Sequence, residues 1–322
     1  MFICGYINLS MTDLPYAIFL MGPTAAGKTA LALELHDIFP LEIISVDSSQ
    51  VYRSMDIGTA KPTTAEQARA PHRLIDIRDP VQAYSAAEFC TDAAREMEAI
   101  TRAGKIPLLV GGTMFYFHAL EFGLSDLPSA DPEIRERLNA EAAQKGWEEL
   151  HRRLQGVDAE SATRIHPNDA QRIQRALEIY ELTGQSLSEL ASAKHRVSLP
   201  YRLIKIALWP QDRKKLHARI EQRFHAMLEQ GFLSEVEKLY ARGDLQASMP
   251  SMRTVGYRQM WEYLTGKINY SEMIEQALAA TRQFAKRQIT WLRSYPDLQA
   301  FDSSDWIPVS ESQDYLREVF RH

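Results

Sequence analysis

The chain has 322 residues, of which 45% are hydrophobic and 25% are charged, and its formal net charge is −5. These values are typical of a globular protein with a substantial core, and no apolar stretch approaches the ~20 residues that a bilayer span requires. Cys4 and Cys90 are too few for a disulfide framework or a zinc site, and the N-terminus lacks the basic region and cleavage site of a signal peptide, so we expect a cytoplasmic protein.

The order of apolar runs along the chain predicts an α/β fold. Short runs at 17–21, 42–46, 73–77 and 106–110 alternate with segments of helical periodicity, and another run lies at 201–208. Strands that alternate with helices are typical of a parallel, doubly wound sheet.

Residues 124–199 are rich in helical patterns and poor in strand signals. Asp131–Pro132 predicts a helix start, and SLSE at 186–189 predicts a capping box. We therefore predict a domain organisation in five parts, which are an N-terminal extension (1–13), the first part of the α/β core (14–123), a helical insertion (124–199), the completion of the core with C-terminal helices (200–302) and a tail (303–322).

The stretch GPTAAGKT, residues 22–29, follows the first apolar run and matches G-x-x-x-x-G-K-[ST] in full. Such a loop binds phosphate through backbone N–H groups, a lysine and the N-terminus of the following helix. Thr29 supplies a hydroxyl suited to Mg²⁺. The predicted phosphate-binding residues are Gly22, Pro23, Thr24, Ala25, Ala26, Gly27, Lys28 and Thr29. This motif predicts a P-loop NTPase-like sheet and a class of ligand, but it leaves the reaction open.

Two other strand ends carry polar or small residues, namely Asp47 after the second run and Gly111–Thr113 after the fourth. Ligands of open parallel sheets gather beyond the carboxyl ends of the strands, so both ends are candidates for the same site. For Asp47 the alternative is a helix cap or a turn residue. A typical P-loop NTPase also holds Mg²⁺ with an aspartate that closes a strand. Only Asp47 or Asp76 could take that place, which weakens an ATPase interpretation.

The net charge argues against a protein that coats nucleic acid indiscriminately, yet two segments are basic. Residues 194–223 contain nine Lys or Arg against two acidic residues, and residues 276–296 contain no acidic residue. Concentrated basic segments in an acidic chain favour recognition of one particular polyanion.

Taken together, these motifs resemble one family, the bacterial-type tRNA dimethylallyltransferases, also called tRNA isopentenyltransferases. The resemblance runs from about residue 15 to 293 and includes ISVDSSQVYRSMDIGTAKP (44–62), LLVGGTMFYF (108–117), RIEQRFHAMLEQGFLSEV (219–236) and SMRTVGYRQMWEYL (251–264). It implies a P-loop core with a helical insertion. It also implies transfer of a dimethylallyl group from dimethylallyl diphosphate to the exocyclic amine of the adenosine just 3′ of the anticodon.

The resemblance implies a role for individual residues. Asp47 is similar to the family's general base, Arg223 to a diphosphate ligand and Thr113 to a residue that contacts the target adenosine. Without the resemblance, Arg223 would be interpreted as an ordinary surface arginine. The implied tRNA-binding residues are Asp47, Ser48, Ser49, Gln50, Thr113, Arg135, Gln171, Arg172, Ile173, Gln174, Arg175, Arg253, Thr254, Val255, Gly256, Tyr257, Arg258, Arg282, Lys286 and Arg287.

The last basic segment has helical periodicity, which places Arg282, Lys286 and Arg293 within about 40° of one another around the helix. Such a stripe follows a phosphate backbone in one interpretation and is an ordinary solvated face in the other.

The sequence leaves two alternative functions open. One is a small-molecule P-loop kinase, in which Asp47 would deprotonate an acceptor hydroxyl and ATP would occupy the P-loop. The other is a non-catalytic, nucleotide-dependent RNA-binding module. For the favoured prenyltransferase we expect Mg²⁺ as cofactor, the anticodon stem-loop of tRNA and dimethylallyl diphosphate as partners, no membrane association and a monomeric state.

Overall fold

The computed structural model describes residues 14–125, 127–192 and 199–321. The chain forms two compact units, of which the first contains residues up to Ala119 and from Pro200 onward, and the second contains residues 120–199. The predicted N-terminal extension, residues 1–13, lies outside the described part of the chain.

Six parallel strands form one sheet in the first unit. The strands are β1 (Tyr16–Met21), β2 (Leu41–Val46), β3 (His72–Arg73), β4 (Ile106–Gly111), β5 (Arg202–Leu208) and β6 (Gln299–Phe301). Their order across the sheet is β3-β2-β4-β1-β5-β6, and all neighbouring pairs run parallel. The predicted α/β fold class with a parallel sheet is confirmed.

The described residues also form fourteen helices, numbered in chain order. They are α1 (Lys28–His36), α2 (Thr64–Arg69), α3 (Ala86–Arg102), α4 (Met114–Phe122), α5 (Pro132–Lys145), α6 (Trp147–Val157), α7 (Ala159–Arg164), α8 (Ala170–Thr183), α9 (Leu187–Ser192), α10 (Arg213–Glu229), α11 (Phe232–Ala241), α12 (Tyr257–Leu264), α13 (Tyr270–Arg293) and α14 (Val309–Val319). None of them is long and apolar enough to cross a membrane.

The core of the first unit lies against the sheet. Ile18, Ile43 and Leu108 of β1, β2 and β4 are fully buried in a single apolar cluster, which also contains Leu316 of α14. The C-terminal stretch that we predicted as a tail thus includes a helix that packs on this core.

The predicted strand over 73–77 was wrong beyond Arg73. Only His72 and Arg73 pair with β2, because Leu74 and Asp76 have φ values of 63° and 57°. Backbone in the left-handed region cannot continue an extended strand.

In its described part the second unit contains helices and no strand. Its core includes Leu138, Leu150 and Ile173, all fully buried. The predicted helix start is confirmed, because the Asp131 side chain accepts a hydrogen bond from the Ile134 backbone at 3.0 Å. The capping box of Ser186 and Glu189 also forms, at 2.7 and 3.2 Å.

The glycine at the end of β4 sets a stability test. A Cβ on Gly111 would lie 2.0 Å from the backbone oxygen of Val46, so we expect Gly111→Ala to destabilise the protein by about 3 kcal/mol. The matched control is Gly156→Ala in α6, where a Cβ meets nothing within 4 Å and alanine favours the helix by up to about 1 kcal/mol. Thermal unfolding followed by circular dichroism measures both, and equal melting temperatures for the two variants would contradict the close approach.

Candidate active site

Three strand ends meet at one edge of the sheet. Strands β2, β4 and β1 are neighbours, and Met21 and Val46 both lie opposite Gly111 in the register. The P-loop after β1, Asp47 after β2 and Thr113 after β4 therefore start at the same level of the sheet.

The P-loop, residues 22–29, closes around its own lysine. Gly27 has a φ of 93° and precedes α1, which begins at Lys28. The Lys28 Nζ donates to the carbonyl oxygens of Gly22 and Pro23 at 2.9 and 2.8 Å. The loop thus holds an ammonium group at the positive end of a helix, which is an arrangement that attracts an anion.

Arg223 of α10 contacts this loop and donates to the Thr24 hydroxyl. The pKa of Lys28 is lowered to about 7, chiefly by burial and also by the nearby charge of Arg223, while Asp47 acts in the opposite direction. Burial also lowers the pKa of Arg223. Two crowded cations with lowered pKa values are stabilised when an anion binds between them.

Asp47 and Thr113 both accept hydrogen bonds from the backbone of residues 48–50. The carboxylate Oδ1 of Asp47 accepts from the N–H groups of Ser49 and Gln50 at 2.8 and 3.3 Å, while the Thr113 hydroxyl accepts from the Ser48 N–H at 3.1 Å. Asp47 is thus a turn residue, as the alternative interpretation expected. The N–H groups of Ser49 and Gln50 both bind one oxygen of its carboxylate, Oδ1.

Two adjoining cavities open at this edge. The first, the P-loop cavity, has a volume of about 550 Å³ and is lined by residues 24–30, Arg219, Arg223 and Gln288 among others. The second has a volume of about 390 Å³ and is lined both by polar side chains and by the apolar side chains of Ile220, Phe224, Met227 and Phe232, after which we name it the apolar cavity. Five residues line both cavities, namely Thr24, Asp47, Thr59, Arg223 and Phe284.

Gln288 of α13 is a site residue that the sequence reasoning missed. Its Oε1 accepts from the Thr24 N–H at 2.8 Å, and its Nε2 donates to the Gly112 carbonyl at 2.8 Å. The side chain is only 4% exposed, so it ties the P-loop to the end of β4. The available signal was an uncharged glutamine within the basic segment, which by itself does not indicate a partner 264 residues away.

Two charged side chains that the sequence analysis did not identify, Lys61 and Glu235, hold the segment between Asp47 and α2 in place. Lys61 donates to the Tyr52 carbonyl at 2.8 Å and to Asp56 and Asp76 at 2.5 and 2.6 Å. Glu235 of α11 accepts from three consecutive N–H groups, those of residues 56–58, at 2.8 to 3.3 Å. Asp76, the alternative magnesium ligand, is therefore paired with Lys61.

Part of the predicted tRNA-binding set lines the apolar cavity. These residues are Asp47, Ser48, Ser49, Thr113, Arg253, Thr254, Val255, Gly256 and Arg287. Gln50 lines the P-loop cavity instead, and Arg258 is exposed on α12. Tyr257 is fully buried and donates to Glu235, so its side chain belongs to the packing beneath the cavity.

One side chain of the basic stripe on α13 forms an ion pair, and the others are exposed. Arg282 donates to Glu221 of α10 at 3.0 Å, whereas Lys286, Arg287 and Arg293 are exposed. Arg287 also lies over the ring of Phe284, at 5.8 Å from its centroid. The stripe therefore combines one structural ion pair with exposed positive charge.

Two of the three predicted RNA-binding arginines of the second unit, Arg135 and Arg175, are bonded to a buried acid. Glu178 is fully buried and accepts from Arg135 at 2.8 and 3.1 Å and from Arg175 at 2.6 Å. Gln174 donates to Asn139 at 2.8 Å, while Gln171 and Arg172 are exposed. Ile173 is fully buried in the apolar core of this unit, so its side chain contributes packing and not surface.

Oxygen donors for a magnesium ion are few at this site. Across the described residues, no group of three or more His, Cys, Asp or Glu side chains has the spacing of a metal site. Thr29 and Asp47 both line the P-loop cavity. This sparse set fits Mg²⁺, which keeps several waters and binds one or two protein ligands together with substrate phosphates.

Comparison with known proteins identifies the relatives of this chain. A family model described as IPP transferase matches residues 50–295. The full-length tRNA isopentenylpyrophosphate transferase of Bacillus halodurans is 37% identical, with coverage of 94% of this chain and 96% of that chain and a TM-score of 0.69. The tRNA delta(2)-isopentenylpyrophosphate transferase of Staphylococcus epidermidis is 33% identical, with coverage of 95% and 99% and a TM-score of 0.68. A eukaryotic dimethylallyltransferase acting on tRNA is 28% identical, with coverage of 94% and 80% and a TM-score of 0.77.

The Gln288 bridge sets a second stability test. Gln288→Glu keeps the shape and the acceptor for Thr24 but replaces the donor to Gly112 with a carboxylate oxygen, so we expect a loss of about 1–3 kcal/mol in unfolding free energy. Gln276→Glu makes the same change at an exposed position of α13 and should stay within about 0.5 kcal/mol. Urea denaturation compares the two variants with the parent protein, and equal midpoints for both variants would show that the bridge does not stabilise the fold.

Proposed function

Because the chain belongs to the IPP transferase family, whose members compared above are tRNA prenyltransferases, we propose a specific reaction for it. The enzyme transfers a dimethylallyl group from dimethylallyl diphosphate to the N6 amine of the adenosine immediately 3′ of the anticodon and releases diphosphate.

The observation that carries this proposal is the junction of the two cavities. The P-loop and Lys28 line one cavity, Thr113 and Arg253 line the other, and Asp47 and Arg223 line both. A donor whose diphosphate occupies the P-loop cavity can meet an acceptor base in the apolar cavity at Asp47. Two substrates held in reacting geometry make the transfer effectively unimolecular.

Asp47 acts as the general base in this reaction. The lone pair of an exocyclic aromatic amine is delocalised into the ring, so attack on an allylic carbon is favoured when a base removes the amine proton. The N6–carbon bond forms, the carbon–oxygen bond to the diphosphate breaks, and the N6 proton passes to Asp47. Thr113, held by the Ser48 N–H, orients the adenosine beside this carboxylate.

The departing diphosphate gains negative charge as its carbon–oxygen bond breaks. Donors that are already aimed at this position stabilise the transition state more than the ground state. The P-loop N–H groups, Lys28 and Arg223 supply these donors. The Thr29 hydroxyl and the phosphates would hold Mg²⁺, which when bound would neutralise part of the leaving-group charge.

The tRNA reaches the site through its anticodon loop. An adenine in that loop must leave its stack to enter a cavity, and unpaired loops are where proteins read RNA bases. Arg253 and Arg287 at the apolar cavity, with Arg258, Lys286 and the exposed side of α13, provide positive charge for the backbone. In the second unit, Arg135, Gln171, Arg172, Gln174 and Arg175 are the proposed contacts.

A transfer assay tests the proposal. Dimethylallyl diphosphate, Mg²⁺ and unmodified tRNA are incubated with the enzyme, and the nucleosides are then analysed. Dimethylallyl on N6 of the adenosine next to the anticodon is the expected product. ATP hydrolysis stimulated by a small acceptor, without prenylated tRNA, would instead support the P-loop kinase alternative.

For the general base, we expect Asp47→Asn to lower kcat by about 10²–10⁴-fold while tRNA affinity stays within about threefold. Asparagine keeps the oxygen that accepts from Ser49 and Gln50, so the turn is preserved and only the base is lost. Single-turnover kinetics and a tRNA-binding assay give the two quantities. Asp314→Asn on α14, where the side chain is 77% exposed, is the matched control. Lost binding with normal residual chemistry would show that Asp47 is not the base.

The lowered pKa of Lys28 predicts proton uptake when the donor binds. With a pKa of about 7, Lys28 is mostly neutral at pH 8 and mostly charged at pH 6, and a bound diphosphate raises its pKa. Binding at pH 8 should therefore take up close to one proton, and binding at pH 6 close to none. Calorimetry in two buffers of different ionisation enthalpy measures this difference. Lys28→Arg, whose charge does not titrate, should bind without the uptake, and an unchanged uptake in this variant would assign the proton to another group.

A further inference from the structure

Arg219 of α10 is an arginine with no assigned role. It lines the P-loop cavity together with Gln222, Arg223 and Ala226. These positions are i, i+3, i+4 and i+7 of one helix, so they share one face that is turned toward the P-loop.

The guanidinium of Arg219 has donors without acceptors. Its Nε and Nη2 atoms are buried, and within the described residues neither has a hydrogen-bond partner. Buried donors without an acceptor are rare in native proteins and costly to maintain. Their neighbour Arg223, one helical turn away, donates to Thr24 in the P-loop. Arg219 therefore lines a cavity that also contains Lys28, and two donors of its guanidinium are unused.

From this geometry we infer that Arg219 binds the terminal phosphate of the diphosphate donor, as a third cation of that site. The inference rests on the proposed function and adds a substrate-binding residue to it. Arg223 lines both cavities, and Arg219 lines the P-loop cavity but not the apolar one. Arg219 is therefore not among the residues at the junction where the carbon reacts. For this reason we assign it to the terminal phosphate, which is not bonded to that carbon.

The planar guanidinium suits this role. Arginine binds phosphate oxygens with two parallel charge-assisted hydrogen bonds, and Nε with one Nη is a pair that can make them. The contact would hold the donor before and during reaction, so it should contribute to donor affinity more than to the chemical step.

Isothermal titration with inorganic diphosphate in buffer containing Mg²⁺ tests the inference. We expect Arg219→Gln to bind diphosphate about ten- to a hundredfold more weakly than the parent protein, because a bidentate charged contact is lost. The control is Arg213→Gln, which removes an exposed cation from the same helix, and it should bind within about twofold of the parent. Parent-like affinity in Arg219→Gln would overturn the inference, whereas failure of the parent protein to bind diphosphate would instead overturn the proposed function.

A second comparison tests which phosphate is bound. Arg219→Gln should lose affinity for dimethylallyl diphosphate but not for dimethylallyl monophosphate, which lacks the terminal phosphate. Equal losses for both ligands would overturn this assignment. Arg219→Lys keeps the charge and should lose less affinity than Arg219→Gln. Equal losses in the two variants with a lowered melting temperature would assign Arg219 to folding and also overturn the inference.

Discussion

The site depends on the register of three parallel strands. Met21 and Val46 lie on either side of Gly111, and backbone approach there is so close that a Cβ would meet the Val46 carbonyl. Parallel strands all end at the same edge, so this register places the phosphate loop, the carboxylate and the threonine at one level. Gln288 then fixes the P-loop to β4 from the other side, because both ends of its buried amide are bonded. The positions of the proposed catalytic groups are thus consequences of backbone packing.

The site brings two cationic side chains, Lys28 and Arg223, close to one carboxylate, Asp47. Lys28 and Arg223 lie close enough that the arginine lowers the pKa of the lysine, while Asp47 acts in the opposite direction. A folded protein holds like charges together at a cost, and a bound polyanion relieves it. Since the carboxylate lines both cavities, the anion site and the proposed base are contiguous. In the proposed reaction, the type of loop that serves phosphoryl transfer in other proteins would hold a leaving group while carbon is transferred.

Arginine residues that the sequence does not distinguish have different roles in the fold. Arg135 and Arg175 are bonded to the buried Glu178, and Arg282 is bonded to Glu221. Arg253 and Arg287 instead line the apolar cavity. In the segment after Asp47, Lys61 donates to Asp56, Asp76 and the Tyr52 carbonyl. Glu235 accepts from the N–H groups of residues 56–58. Lys61 and Glu235 therefore determine where this segment lies.

The sequence by itself determined the parallel α/β class, the P-loop and the family. Each follows from a local pattern, namely the spacing of apolar residues, the positions of glycines or the order of motifs. It also placed Asp47 and Gly111–Thr113 at strand ends. It did not determine the extent of β3, since the positive φ values of Leu74 and Asp76 leave no trace in the apolar pattern RLIDI. Nor did it identify Gln288, or show that Tyr257 and Ile173 are buried. Those properties depend on contacts between residues far apart in the chain, such as Thr24 with Gln288, and only the tertiary structure brings such residues together.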